Sequence, residues 1–385
     1  MAGVLYRLYM SFYPPCPPKE ANPIKFGILG ASSVATYALL TPVKSHPGVV
    51  VEGVAARDYS RAKAFAKSNS IPKAYATYEE LLEDPSIDAV YIALTNSHHY
   101  EWATKSLHAG KHVLVEKPMT TSSADAAKLF ALAKERNLIV MEANHIRFHP
   151  TAQTMKALVD SGRIGNVQGI DSTWAISSTP PNVKKTSLGG GAMVCAGCYP
   201  VSLARYILDG ADATDVRLVR TKPFPDEKQS DQHTYVECDF TSPSDGSLVT
   251  ALLSADMALP QLLPPFKWTL KIQGDEGTLY LNNYFAPSIF HTITITERPT
   301  DANGKSQETI SYVKAYSFKE LDPKAKGEDW WTTYRYQLEA FIDKINGRQP
   351  QTWVDEAESV GCLAVLDRAY EVNGFGARAT TNYKE

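Results

Sequence analysis

Cysteine is scarce in this chain. The five residues, at positions 16, 195, 198, 238 and 362 of 385, are odd in number, which argues against a closed disulfide framework and for a reducing, cytoplasmic compartment. Only Cys195 and Cys198 have C-x-x-C spacing, and no second pair or histidine cluster completes a zinc site, so no metal is expected. A redox pair is the weak alternative for these two thiols. Charge of one sign is also missing: 39 Lys and Arg face 42 Asp and Glu, a net charge of -3. Without a basic field a nucleic-acid partner is not expected, and a small-molecule substrate is. No run approaches the roughly 18 apolar residues that cross a bilayer, so no membrane span is expected. Residues 1–15 are apolar and tyrosine-rich but lack the apolar core and cleavage site of a signal peptide. Pro14-Pro15-Cys16-Pro17-Pro18 closes them, so 1–23 read as an N-terminal arm. Internal repeats and low-complexity segments are absent.

What is present is the composition of a globular enzyme, 44% hydrophobic and 21% charged, in a chain long enough for two domains. Ile24 to Gly30 reads as a buried strand, and Gly30-Ala31-Ser32-Ser33-Val34-Ala35 opens a helix. A tight turn at Gly30 followed by the N–H groups of Ser32, Ser33 and Val34 is what a pyrophosphate requires, although Ser32 stands where the second glycine of the fingerprint usually lies. The next strand, Val49 to Ala56, ends in Arg57-Asp58 with Arg61 one turn on. Two guanidinium groups there clamp a 2′-phosphate, so NADP is expected over NAD; the alternative is that Asp58 caps a helix and the arginines are solvated. Strands and helices then alternate through Glu142, which predicts a doubly wound parallel sheet over 24–148. Asn96, in the loop Thr95 to His99, offers both donor and acceptor to a cofactor, and His99 is the histidine chosen to orient substrate.

Strand His112 to Val115 delivers Glu116-Lys117-Pro118 to the carboxyl edge of that sheet, where such sheets bind ligands. Lys117 can there meet a nicotinamide. Beyond Pro150 the pattern changes to seven strand-like stretches after Val167, which predict an α+β domain over 149–385 with a large, mostly antiparallel open sheet. Turns are expected at Gly274 to Gly277 and at Asn303-Gly304. Two amphipathic helices, Trp330 to Asn346 and Asp355 to Asn373, pack back on the core.

The segments DAVYIALTNSHHYEW, AGKHVLVEKP, MEANHIRFHP, GRIGNV and GGGAMVCAGCY, in this order, resemble the glucose-fructose oxidoreductase/inositol dehydrogenase/MocA family. More narrowly they are similar to its dimeric dihydrodiol dehydrogenases and NADP-dependent D-xylose 1-dehydrogenases. The resemblance implies hydride transfer between nicotinamide and a sugar C1 or a cyclic diol, and a homodimer through the open sheet. It implies that Lys117 and Tyr199 are catalytic and that Glu116 belongs to the cofactor motif. A lysine beside Tyr199 would draw its pKa toward neutrality. Where the family usually carries an aspartate, this chain has Cys195. That change leaves open a carbonyl or imine reductase and a cofactor-binding sensor without turnover. Arg147 is a further candidate for positioning substrate, or an ion-pair partner of Glu142.

Overall fold

The apolar runs of the first half are buried along their length, as parallel strands covered on both faces must be. The computed structural model describes residues 2–260, 264–298, 307–320, 322–381 and 383. Strands β1 (Ile24–Leu29), β2 (Val49–Ala55), β3 (Lys73–Tyr75), β4 (Ala89–Ile92), β5 (His112–Glu116) and β6 (Val140–Ala143) form one sheet in the order β3-β2-β1-β4-β5-β6. Every neighbouring pair is parallel. The winding reverses between β1 and β4, which opens a crevice at the carboxyl ends of these two strands. β3 was not foreseen, because three edge residues carry no readable period.

The second sheet holds β7 (Val167–Ile176), β8 (Ala213–Pro223), β9 (Asp231–Thr241), β10 (Leu248–Asp256), β11 (Phe266–Gly274), β12 (Gly277–Leu281), β13 (Ile293–Glu297) and β14 (Thr309–Val313). Its order is β14-β13-β12-β11-β7-β10-β9-β8. Only the β7–β10 pair is parallel, so the sheet is mostly antiparallel as expected. Alternate residues such as Val236, Cys238, Val249, Ala251 and Leu253 are buried on its covered face. On the other face Arg217 pairs with Glu237 and Asp239, and Tyr280 and Tyr312 are exposed. The expected turn from Gly274 to Gly277 joins β11 to β12. The one expected at Asn303-Gly304 lies outside the described residues.

Both C-terminal helices pack back. Thr333–Ile345 brings Phe341 against Phe26 of β1, with ring centroids 6.0 Å apart. Glu356–Val372 supplies Asp367, whose carboxylate accepts hydrogen bonds from the Ser123 N–H (2.9 Å) and hydroxyl (2.7 Å). The N-terminal arm contains a helix, Ala2–Phe12, pinned where Arg7 Nε donates to the Ser288 carbonyl at 2.9 Å. Among the described residues one segment, Thr186–Ile207, is long and apolar enough to cross a membrane by length and composition alone. Its apolar window is 83% buried inside the fold, which makes it core.

Candidate active site at the sheet switch point

β1 ends at Gly30, where φ is +105° and a Cβ would lie 2.6 Å from the Ala93 carbonyl oxygen at the end of β4. Only glycine holds this turn without strain. Ser32 caps the helical stretch that follows, its hydroxyl accepting from the Val34 N–H at 3.4 Å. A cleft of about 540 Å³ opens here, lined by Gly30, Ser32, Ser33, Arg57, Arg61 and His98 among others. Asp58 is spent as a cap, its carboxylate accepting from the Ser60 N–H at 2.8 Å and hydroxyl at 2.7 Å. Asp58 therefore caps, as the alternative expected, while Arg57 and Arg61 line the cleft. The residues present fit a dinucleotide, with a close-approach glycine, a helix start for pyrophosphate and two guanidiniums at the ribose end.

The two adjacent histidines sit in different surroundings. His99 is buried, with Nδ1 2.8 Å from the Pro118 carbonyl and Nε2 3.2 Å from that of Leu94. It ties the end of β4 to the Lys117 loop, with its ring nitrogens turned to backbone carbonyls. Burial, first, and the charge of Lys117 lower its pKa to about 4. His98, not chosen, lines the cleft. The helix starting at His99 turns that ring inward, a consequence of helix phase that a loop reading does not contain.

Glu116 also faces inward, and Tyr91 donates to its carboxylate at 2.5 Å. Asn96 does not line the cleft either. Its amide donates to the Gly189 carbonyl at 2.9 Å and lies 3.3 Å from the Cys195 sulfur, joining the first domain to the Gly-rich segment of the second. Val34 serves the Ser32 cap. Arg147 is buried in an ion pair with Glu358 (2.7 Å) and lies over the Tyr206 ring, so it is structural, and its partner is not Glu142.

Lys117 and Tyr199 do converge. Lys117 Nζ lies 5.0 Å from the Tyr199 ring centroid and donates to the Cys195 carbonyl at 2.7 Å. Cys195 sits in a π-helical turn, Met193–Gly197, that precedes helix Cys198–Ile207. The donor that a π register would bring to the Cys195 carbonyl is residue 200, a proline without an N–H, and Lys117 donates to that oxygen. Burial acts to lower the Lys117 pKa, but Cys198 and Glu116 outweigh it and leave the ammonium above the ordinary lysine value. The Cys195 thiol is pushed up by burial, so it is no activated nucleophile. Tyr199 is raised well above the ordinary tyrosine value, by burial first. The expected pull toward neutrality is not seen: burial, with Tyr334 and Cys198 beside the phenol, acts in the opposite direction. Tyr199 is therefore a neutral phenol.

One residue of the site escaped the sequence reading. His145, inside MEANHIRFHP, places Nε2 3.2 Å from the Tyr199 hydroxyl and Nδ1 2.8 Å from Thr333 Oγ1. Its only sequence signal was its place shortly after the end of β6. Trp174 and Phe285 pack around Tyr199, with ring centroids 6.3 and 5.2 Å away. Among the described residues no group of three or more His, Cys, Asp or Glu converges as a metal site would.

Comparison with known proteins agrees with this geometry. Residues 24–144 match the oxidoreductase family with an NAD-binding Rossmann fold, and residues 152–280 match the GFO/IDH/MocA C-terminal domain. A D-xylose 1-dehydrogenase (NADP(+)) 2 of Haloferax volcanii is 29% identical over 361 residues, 91% of this chain and 98% of its own. A trans-1,2-dihydrobenzene-1,2-diol dehydrogenase of Xenopus tropicalis is 36% identical over 192 residues, 48% of this chain and 57% of its own. The chain spans little more than half the length of several other curated relatives as well. KijD10, a 3-ketoreductase from Actinomadura kijaniata crystallised with NADP and TDP-benzene, superposes with a TM-score of 0.72 at 25% identity, covering 94% of this chain and 100% of its own. Two successive domain matches, the sheet order and the Lys117–Tyr199 pairing past the end of β5 together mean that the chain belongs to the Gfo/Idh/MocA oxidoreductase family.

Proposed function

We propose that this protein is an NADP-dependent oxidoreductase that moves hydride between nicotinamide and a carbinol or carbonyl carbon of a sugar, at aldose C1, or of a cyclic diol. The observation that carries this reading is the convergence of Lys117, just past the carboxyl end of β5, with Tyr199, on the same sheet edge as the cleft that Gly30, Arg57 and Arg61 line. Bound NADP(H) supplies or accepts the hydride. Gly30 and the start of the helix after it hold pyrophosphate, and Arg57 and Arg61 hold the 2′-phosphate. Lys117, kept as an ammonium, polarises the reacting oxygen, and Tyr199 passes the proton. The Haloferax and Xenopus relatives support a sugar or diol substrate.

Carbonyl reduction is the second reading, supported by the ketoreductase KijD10. Cys195, uncharged where a carboxylate is usual, supports a less polar substrate than an aldose. The outer face of the second sheet, with Tyr280 and Tyr312 exposed, is proposed as the surface of a homodimer; sedimentation of the wild type and of Tyr312→Glu tests it. The test of function is NADPH formation or consumption by the purified protein over D-xylose, trans-1,2-dihydrobenzene-1,2-diol and a panel of ketones, with NAD(H) in parallel and Lys117→Ala as control. Lysine-dependent turnover supports the reading. Cofactor binding without turnover anywhere on the panel would sink it in favour of a sensor.

A further inference from the structure

His145 stands between two hydroxyl groups in the interior of the protein. Its ring is 1% exposed, stacked on Tyr334 at a centroid distance of 4.0 Å and edge-on to Tyr199 and Phe285. The titratable groups facing His145 and Tyr199 are Lys117, Glu116, Cys198, Tyr37 and Tyr334. Burial first, and the charge of Lys117 second, hold the imidazole well below the ordinary histidine value, so it is neutral. A neutral imidazole has one N–H and one lone pair, so its two contacts must run in a single direction.

Resting on Tyr199 as the proton-transfer group, we propose that His145 is a positioning residue: Thr333 Oγ1 donates to Nδ1, and Nε2–H donates to the Tyr199 oxygen. This direction leaves the phenol hydrogen free for substrate, whereas the reverse would spend it on His145. In reduction the Tyr199 O–H bond breaks as the new O–H bond forms on substrate, whose carbonyl carbon takes the hydride with its electron pair. The Nε2–H bond then stabilises the phenolate left behind, and no proton leaves His145. Thr333 opens helix Thr333–Ile345, so the C-terminal part of the chain sets the orientation of a group on helix Cys198–Ile207.

The direct test is the tautomer of His145 in the full chain labelled with nitrogen-15 histidine, read from long-range proton–nitrogen correlations between about pH 6 and about pH 9. The signal is identified among nine histidines by its loss in His145→Gln. A neutral ring protonated at Nε2 is expected, preserved in Thr333→Ser and lost or mixed in Thr333→Val. An imidazolium, an Nδ1–H tautomer, or indifference to Thr333→Val overturns the proposal without any need for turnover. On a turned-over carbonyl substrate, His145→Phe should lower kcat about tenfold, leave the cofactor KM unchanged and move the basic limb of the pH profile up by about one unit. An unmoved limb also overturns it. Should His145→Phe not fold, Thr333→Val carries the same kinetic test. Wild-type turnover by Tyr199→Phe would instead remove Tyr199 from the mechanism, a failure that the tautomer measurement keeps separate.

Discussion

The two sheets contribute to the site in different ways. In the parallel sheet, connections leave the carboxyl ends of the strands, so Gly30, Arg57 and Lys117 come to one edge although they are far apart in sequence. In the antiparallel sheet, successive strands run in opposite directions and no edge collects their ends. Its domain supplies Tyr199 from a covering helix and Thr333 from a helix that returns to the first sheet. A parallel sheet makes a site by topology; an antiparallel one serves as a wall against which a few side chains are aimed. The difference teaches where positional inference holds.

Substitutions on each side can break this contrast. The largest effect is expected from Lys117→Ala, which should cut turnover about 10³-fold with NADP binding retained, since the lost ammonium acts on the reacting oxygen. Measuring kcat beside the NADP Kd checks it, and equal losses in both would make Lys117 a binding residue. Next comes the Gly30 turn: Gly30→Ala puts a Cβ against the Ala93 carbonyl at positive φ, at a cost of about 1–3 kcal/mol. Thermal unfolding and NADP titration should both fall, and unchanged values would mean that the loop relaxes freely. Arg57→Ala and Arg61→Ala should each weaken NADP about 10- to 100-fold while leaving NAD almost unaffected, as expected for a charge-assisted contact to the 2′-phosphate. A parallel loss for both cofactors would place the arginines on the pyrophosphate.

The smallest effect concerns Glu142 at the end of β6, which accepts from the Met119 N–H at 3.1 Å and the Ser359 hydroxyl at 3.0 Å. Burial raises its pKa from 4.5 to about 7. A raised folded-state pKa means that its contribution to stability is complete below about 4.5 and is lost as pH rises through about 7. Wild-type Tm should therefore decline across that window relative to Glu142→Gln, whose amide does not titrate. Parallel Tm curves would show that the carboxyl titrates normally.

Legibility follows the same contrast. Lys117 and Gly30 were readable because strand ends and turns are local events whose position in a parallel sheet is known in advance. The surroundings of His99, Arg147, Glu116 and Asn96 were not readable, because a polar side chain near a site either faces outward or engages the scaffold, and sequence does not record which way it points. His99 and Arg147 are buried among their own partners, and Asn96 reaches across to Gly189. His98 and His99 are neighbours of identical chemistry, and only helix phase separates their roles.

The sequence by itself determined the parallel sheet, the antiparallel one after it and the presence of a lysine at the carboxyl edge of the first, because strand periodicity, turn residues and short motifs are properties of contiguous residues. Tertiary structure alone decided that His145 meets Tyr199 and Thr333, that Lys117 holds the Cys195 carbonyl and that Tyr199 stays a neutral phenol. These depend on distances between residues up to 188 positions apart and on burial, which no local pattern encodes.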